Sequence, residues 1–134
     1  MPINGKFTPY DKERGEKAIQ YIHAHFTENI SADSLAMEVG IDIKLLQLFM
    51  QTVTGLTVHH FLLKVRIEHS LSDLANFKRS ISSIALNLGF SDHGHFDRVF
   101  KRFTDQTPTQ YRSQLIRNGN RLDNEHENND KNSP

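Results

Sequence analysis

Two segments of this 134-residue chain carry the same pattern of alanine, glycine and apolar residues, and this repeat constrains the fold most. Both patterns have helical spacing, and a glycine supplies the positive φ that a tight corner between helices requires. Each copy therefore predicts a short helix, a glycine-bearing turn and a second helix. At an offset of 49, Leu35-Ala36-x-x-Val39-Gly40-Ile41 matches Ile84-Ala85-x-x-Leu88-Gly89-Phe90. At an offset of 50, Leu46, Phe49, Met50 and Val53 match Phe96, Val99, Phe100 and Phe103.

This succession of elements is the helix-turn-helix motif. An αα-hairpin of a generic helical bundle follows the same packing rules, so a single copy would not separate the two interpretations. Two copies with matched alanine, glycine and apolar positions favour the helix-turn-helix. We therefore predict an all-α fold of about seven helices, in which two homeodomain-like helix-turn-helix subdomains are joined by a long linker helix.

Composition and capping residues divide the chain into five segments. Two prolines and a glycine near the start indicate a flexible lead-in over residues 1–14. We predict the first subdomain at 15–56, the linker helix at 57–76 and the second subdomain at 77–118. The final segment, 119–134, is acidic and has almost no apolar side chain to bury, so we expect a disordered tail there.

The boundaries of two helices in the first subdomain follow from their capping residues. Ser31 and Asp42 are typical N-cap residues, and each precedes a run of residues with helical apolar spacing. Gly40 and Gly55 follow these two runs and are typical of helix C-termini.

The net charge of the chain is zero, which by itself argues against a partner as acidic as nucleic acid. The charge is unevenly distributed along the sequence, however. Residues 1–75 carry a net charge of −2, residues 76–122 a net charge of +5, and residues 123–134 a net charge of −3. The basic excess coincides with the second subdomain, so the overall balance does not exclude DNA.

Several other classes of protein do not fit the sequence. The absence of cysteine excludes disulfides and cysteine-based zinc sites. No run approaches the ~20 apolar residues that span a bilayer, and no export signal is evident, so we expect a bacterial-type cytoplasmic protein without a membrane partner. No phosphate-binding loop, nucleophile elbow or paired carboxylates are present, so we expect neither an enzyme nor a cofactor. Histidine pairs spaced i, i+2 point about 200° apart on a helix, and no metal site is predicted.

The second subdomain carries a long and specific motif. It reads Ser82-Ser83-Ile84-Ala85-x-x-x-Gly89-Phe90-Ser91-Asp92-x-x-His95-Phe96-x-Arg98-x-Phe100-Lys101-x-Phe103-x-x-x-Thr107-Pro108-x-x-Tyr111-Arg112. This motif resembles the signature of the AraC/XylS family of transcription regulators. The upstream segments LAMEVGIDIKLLQLFMQTVTG and HFLLKVRIEHSLSDL resemble the family's first half and linker helix, so the resemblance covers roughly residues 15–117. It implies that each subdomain inserts a recognition helix into adjacent major-groove segments of a promoter.

The face of the second recognition helix opposite its apolar residues is predicted to point at DNA. Arg98 lies one turn into this helix, where its guanidinium can bind guanine O6 and N7. Lys101 and Arg102 lie one turn further on and are predicted to contact phosphates. The resemblance implies that bases are read at these positions: His93, Gly94, His95 and Arg98.

Three of these positions also have other interpretations. His93 is equally compatible with a solvent-facing or partly packed histidine, whereas a histidine at the position of His95 more often packs toward the turn. Gly94 weakens a helix by about 1 kcal/mol relative to alanine, and we predict that close approach of the backbone to the duplex compensates for this cost.

The first recognition helix lacks the corresponding cations. At the offset of 50, Leu48 corresponds to Arg98, Gln51 to Lys101 and Thr52 to Arg102. Leu48 can contact a thymine methyl group. Two interpretations stay open: this helix lies weakly against DNA, or it packs on another surface. The candidate base-reading residues of this helix are Lys44, Gln47 and Leu48.

Helix N-termini supply further candidate phosphate contacts, because their backbone N–H groups attract anions. Simple capping is the alternative role for each of them. The candidates are Ser31, Ser82, Ser83 and Thr107.

The sequence thus predicts a sequence-specific regulator, specifically an activator, with double-stranded promoter DNA and RNA polymerase as partners. The alternative is a protein-interaction module of the same fold with weakened DNA binding. We expect this domain to be monomeric, with dimerisation only through a domain that this sequence lacks. The sequence fits either a stand-alone regulator or the C-terminal portion of a longer protein.

Overall fold

The computed structural model describes residues 7–131, with side chains described as far as residue 119. The described residues form seven helices and no strand, which confirms the predicted all-α fold. None of these helices is both long and apolar enough to cross a membrane. The helices are α1 (Pro9–His25), α2 (Ala32–Val39), α3 (Ile43–Thr54), α4 (Val58–Leu74), α5 (Ile81–Asn87), α6 (His93–Thr104) and α7 (Pro108–Lys131).

The chain divides into two compact units. The first contains the described residues up to His69 together with Asn87–Gly89, and the second contains Ser70–Leu86 and the residues from Phe90 onward. Helix α4, which lies within the predicted linker 57–76, contributes to both units.

Helices extend into the predicted segments at both ends of the chain. Helix α1 begins at Pro9, inside the predicted lead-in 1–14, because Thr8 and Asp11 form a capping box there. The Thr8 hydroxyl accepts the Asp11 N–H at 3.1 Å, and the Asp11 carboxylate accepts the Thr8 N–H at 2.9 Å. Helix α7 continues to Lys131, across most of the segment predicted to be disordered, because propagating a nucleated helix costs little per residue. Residues 132–134 lie outside the described residues.

The first unit packs α1, α2, α3 and the start of α4 around one apolar core. Ile22, Leu35, Leu46 and Met50 are completely buried in it. The predicted N-caps Ser31 and Asp42 and the predicted C-terminal glycines Gly40 and Gly55 are confirmed, and both glycines have left-handed φ values of 74–76°.

A buried arginine binds backbone carbonyls of this unit. Arg66 on α4 donates from Nε to the Phe26 carbonyl at 2.6 Å and from Nη2 to the Glu28 carbonyl at 2.8 Å. These carbonyls follow the C-terminus of α1, where backbone acceptors lack helical partners. Burial lowers the pKa of Arg66, so the carbonyls compensate for lost hydration of the guanidinium.

The second unit has a corresponding core and a corresponding arginine. Leu74, Ile84, Phe96 and Phe100 are completely buried. Arg112 on α7 donates to three carbonyls after the end of α4: Leu74 at 3.0 Å, Arg79 at 2.8 Å and Asn76 at 3.2 Å.

The internal repeat also includes the polar groups that end and start helices. Thr54 and Thr104 each donate to the carbonyl four residues earlier, at 2.6 and 2.8 Å, and each accepts the N–H two residues later. Thr57 and Thr107 each accept the N–H three residues later, at 3.1 Å, at the start of the following helix. In both copies of the repeat, the second helix of the motif is therefore followed by a turn with the same hydrogen bonds.

Candidate nucleic-acid interface

Helix α6 presents a basic face on the side opposite the core of the second unit. Phe96, Val99 and Phe100 are buried, whereas Arg98, Lys101 and Arg102 are exposed. Asp92 starts the helix by accepting the His95 N–H at 2.7 Å, which fixes the direction in which α6 leaves the turn. The predicted division of this helix into an apolar and an outward face is thus present in the structure.

The outward face of α6 contains a gap at Gly94, and the Arg98 side chain lies next to it. A Cβ on Gly94 would be 3.3 Å from Arg98 Nη1 and 3.3 Å from Asp92 Oδ1. Helical side chains lean toward the N-terminus of their helix, so residue 94 is the position over which an arginine at 98 extends. Glycine therefore makes room for the guanidinium near the start of α6.

We expect Gly94→Ala to stabilise the free protein by up to about 1 kcal/mol and to weaken duplex binding roughly three- to tenfold, because the new methyl group displaces Arg98. Chemical denaturation and fluorescence anisotropy measure the two effects. Gly119→Ala on α7 is the matched control, since nothing lies within 4 Å of its Cβ position. Unchanged binding by Gly94→Ala at raised stability would show that Arg98 does not need this space.

Both ring nitrogens of His93 have partners in the second unit. Nδ1 lies 3.0 Å from Ser82 Oγ on α5, and Nε2 lies 3.1 Å from Asp97 Oδ1 on α6. His95 instead packs edge-to-face on Phe90, with ring centroids 5.3 Å apart. The two histidines thus differ: His93 joins a polar chain on the outward side of α6, and His95 packs toward the turn.

Helix α3 of the first unit presents a nearly neutral outward face. Lys44 and Gln47 are exposed and Leu48 is half-buried, whereas Leu46, Phe49 and Met50 face the core. The Gln51 amide donates to the Gly55 carbonyl at 3.2 Å and so caps the end of its own helix. Lys44 is the one cationic side chain of α3, against the exposed Arg98, Lys101 and Arg102 on α6.

The candidate phosphate-binding residues at helix N-termini have capping roles to different degrees. Ser31 and Thr107 cap α2 and α7 through reciprocal bonds with residues three positions later. The α5 cap is Ser80, whose hydroxyl accepts the Ser83 N–H at 3.1 Å. Ser82 and Ser83 therefore lie in the first turn of α5, two and three residues beyond the cap.

The structure brings the candidates together within units. His93, Gly94, Arg98 and Lys101 share the outward side of α6, and Ser82 lies beside them through His93. Asp97 is a further polar residue of this face for which no role was predicted, although its i, i+4 spacing from His93 could have indicated the pair. Over the described part of the chain, no group of three or more His, Cys, Asp or Glu side chains is arranged to hold a metal ion.

Comparisons with known proteins agree with this architecture. A family model described as a helix-turn-helix domain matches residues 35–114. A helix-turn-helix-type transcriptional regulator of Staphylococcus aureus strain COL is 40% identical over 100 residues, which are 75% of this chain and 13% of that protein. The chain thus spans about an eighth of the length of such relatives.

Two solved structures share the fold. The C-terminal domain of AraT, a response regulator from Geobacillus stearothermophilus, has a TM-score of 0.70 and 25% identity, covering 82% of this chain and 88% of that one. An AraC-type DNA-binding domain-containing transcriptional regulator from Chromobacterium violaceum has a TM-score of 0.72 and 24% identity, covering 81% and 96%.

Proposed function

From the premise that this chain belongs to the AraC-type family of helix-turn-helix transcription regulators, we propose that it binds double-stranded promoter DNA in a sequence-specific manner, with α6 as the dominant reading helix. The family consists of transcription regulators rather than enzymes. The observation that carries the proposal is the outward face of α6, where three cationic side chains lie opposite a buried aromatic stripe.

In this proposal, base reading in the second unit is centred on Arg98, which binds a guanine edge. Gly94 gives Arg98 room, His95 supports the start of the helix, and His93 lies beside the base edges. Lys101 and Arg102 contact phosphates, with support from the first turns of α5 and α7 at Ser82, Ser83 and Thr107.

The first unit has a smaller role in this proposal. Lys44 and Gln47 contact the duplex from α3, Leu48 contacts a thymine methyl, and Ser31 contacts a phosphate at the start of α2. Phosphate contacts dominate affinity for DNA, so the single lysine on α3 supports weaker DNA binding by the first unit than by the second.

We further propose that the regulator is an activator that contacts RNA polymerase while bound at a promoter. This domain acts as a monomer in that proposal, and any dimerisation depends on a domain outside this sequence.

A salt titration tests the DNA-binding proposal. If Arg98, Lys101, Arg102 and Lys44 each neutralise a phosphate or lie close to one, log K should fall against log[salt] with a slope of about −3 to −4. Fluorescence anisotropy on a labelled duplex selected from a random pool measures the slope. Lys101→Gln should reduce it by about 1, whereas Lys12→Gln, an exposed change on α1, should leave it unchanged.

A flat salt response at micromolar protein would contradict the proposal. It would favour a protein-interaction module of the same fold, for which the nearly neutral face of α3 would provide the docking surface.

A further inference from the structure

We propose that Asp97 is a further specificity-determining residue, which reads cytosine next to the guanine read by Arg98, and that His93 is a positioning residue for its carboxylate. This inference rests on the proposed DNA-binding function and deepens it. The residues that carry it are Ser82, His93 and Asp97 of the second unit.

The geometry is a series of two polar side-chain contacts that ends at a carboxylate. Ser82 Oγ lies 3.0 Å from His93 Nδ1, and His93 Nε2 lies 3.1 Å from Asp97 Oδ1. The His93 and Asp97 side chains remain 42% and 43% exposed, so the carboxylate is held in place without being enclosed. A side chain held from one side and open on the other is preorganised for a second partner.

The free acceptor capacity of Asp97 defines the base that it can bind. A carboxylate accepts at two oxygens, each with two lone pairs, and His93 occupies one of these positions. In the major groove, cytosine presents its N4 amino group as a donor, and aspartate is a recognised acceptor for it. Guanine N7 and O6 and thymine O4 are acceptors, which repel a carboxylate, and adenine has its N7 acceptor directly beside its N6 amino donor, which makes it a poorer partner than cytosine.

The position of Asp97 on α6 places it beside the Arg98 contact. Asp97 is one turn after His93, one turn before Lys101 and adjacent to Arg98 in sequence, so it borders the outward face. A negative charge at this edge repels phosphates on any duplex, and a cytosine amino group offsets that cost only at the correct sequence. Such a group lowers non-specific affinity and raises discrimination.

The same contacts change the role of His93. Both of its ring nitrogens have protein partners, so forming a direct base contact would require breaking one of them. Holding Asp97 is the role that keeps both contacts.

The test is selection of bound duplexes from a random pool with the wild type, Asp97→Ala, Asp97→Asn and His93→Ala, followed by dissociation constants on matched duplexes. The wild type should prefer cytosine at one position next to the guanine that Arg98→Ala removes from the consensus. In Asp97→Ala the preference for cytosine over the other bases should fall about tenfold. Asp97→Asn should shift the preference toward adenine, the base that asparagine binds. His93→Ala should weaken the same position alone, with an unchanged far-ultraviolet spectrum.

Asp105→Asn is the matched control, because it removes the same charge from the C-terminal cap of α6, where asparagine also tolerates the left-handed conformation. It should leave the cytosine preference unchanged. If the wild type selects a sequence but Asp97→Ala keeps the same profile, or gains affinity equally for all duplexes, the role of Asp97 is overturned while DNA binding stands. If the wild type selects no sequence, the proposed function and this inference both fail.

Discussion

Arg98→Ala is expected to weaken binding to a selected duplex by about 1–3 kcal/mol, which is roughly 5- to 150-fold, and to relax preference at one base pair. The guanidinium is exposed on α6 and extends over Gly94 toward the start of the helix. There it can form two parallel hydrogen bonds to guanine, a geometry that no other side chain reproduces as well. Anisotropy titrations on the selected duplex and on single-base variants measure both effects.

Leu48→Ala is the matched comparison, since Leu48 is the counterpart of Arg98 in the first copy of the repeat. Loss of a thymine methyl contact should change affinity only about two- to threefold, because such a contact buries few apolar atoms. Circular dichroism establishes that each variant is folded. If Leu48→Ala proves the more damaging change on a folded protein, then α3, not α6, is the dominant reading helix.

Arg102→Ala tests whether Arg102 contributes only a phosphate contact or also reads a base. Loss of a phosphate contact weakens all duplexes by a similar factor and lowers the salt slope by about 1, without altering the base preference. A change in preference at one base pair would instead make Arg102 a base reader.

The internal repeat predicted the helices well because its information is local. Spacing of apolar residues and the caps at Ser31 and Asp42 are properties of short segments, and the structure contains them as expected. Helix α1 begins inside the predicted lead-in 1–14, because Thr8-Pro9-x-Asp11 is a capping box that lies among residues otherwise typical of a loop.

The sequence predicted which side chains of α6 face outward, but not all of the contacts that they make. Helical periodicity identifies Arg98, Lys101 and Arg102 as outward-facing, since one turn of α6 fixes them relative to Phe96 and Phe100. The contact of His93 with Ser82 was not predictable, because Ser82 is 11 residues away in sequence and approaches only when α5 packs beside α6. The spacing of residues within one helix does not show which residues of another helix lie close to it.

The second large effect concerns folding rather than recognition, and it arises at Gly89. Its φ is +100°, and a Cβ there would lie 2.5 Å from the Thr27 carbonyl oxygen and 2.9 Å from Arg66 Nη2. Both neighbours are fixed: Thr27 is backbone, and Arg66 is buried and bonded to the Phe26 and Glu28 carbonyls. The counterpart Gly40 has a φ of +76°, but the atom nearest to its Cβ position, the Tyr10 hydroxyl oxygen, is 3.6 Å away, so the two copies differ in packing at this turn.

We expect Gly89→Ala to lower the free energy of unfolding by about 3–5 kcal/mol. Of this, roughly 1–2 kcal/mol comes from the left-handed backbone conformation and the remainder from the steric overlap. Gly55→Ala is the matched control, because Gly55 has a φ of +74° with nothing within 4 Å of its Cβ position, and it should cost only about 1–2 kcal/mol. The chain itself tolerates Asp105 at a φ of 64°, in the position that corresponds to Gly55, so backbone conformation alone is a modest cost. Urea denaturation followed by circular dichroism gives both values. Equal costs for the two variants would mean that the turn shifts to accommodate the methyl group, and that the contact with Thr27 and Arg66 does not constrain residue 89.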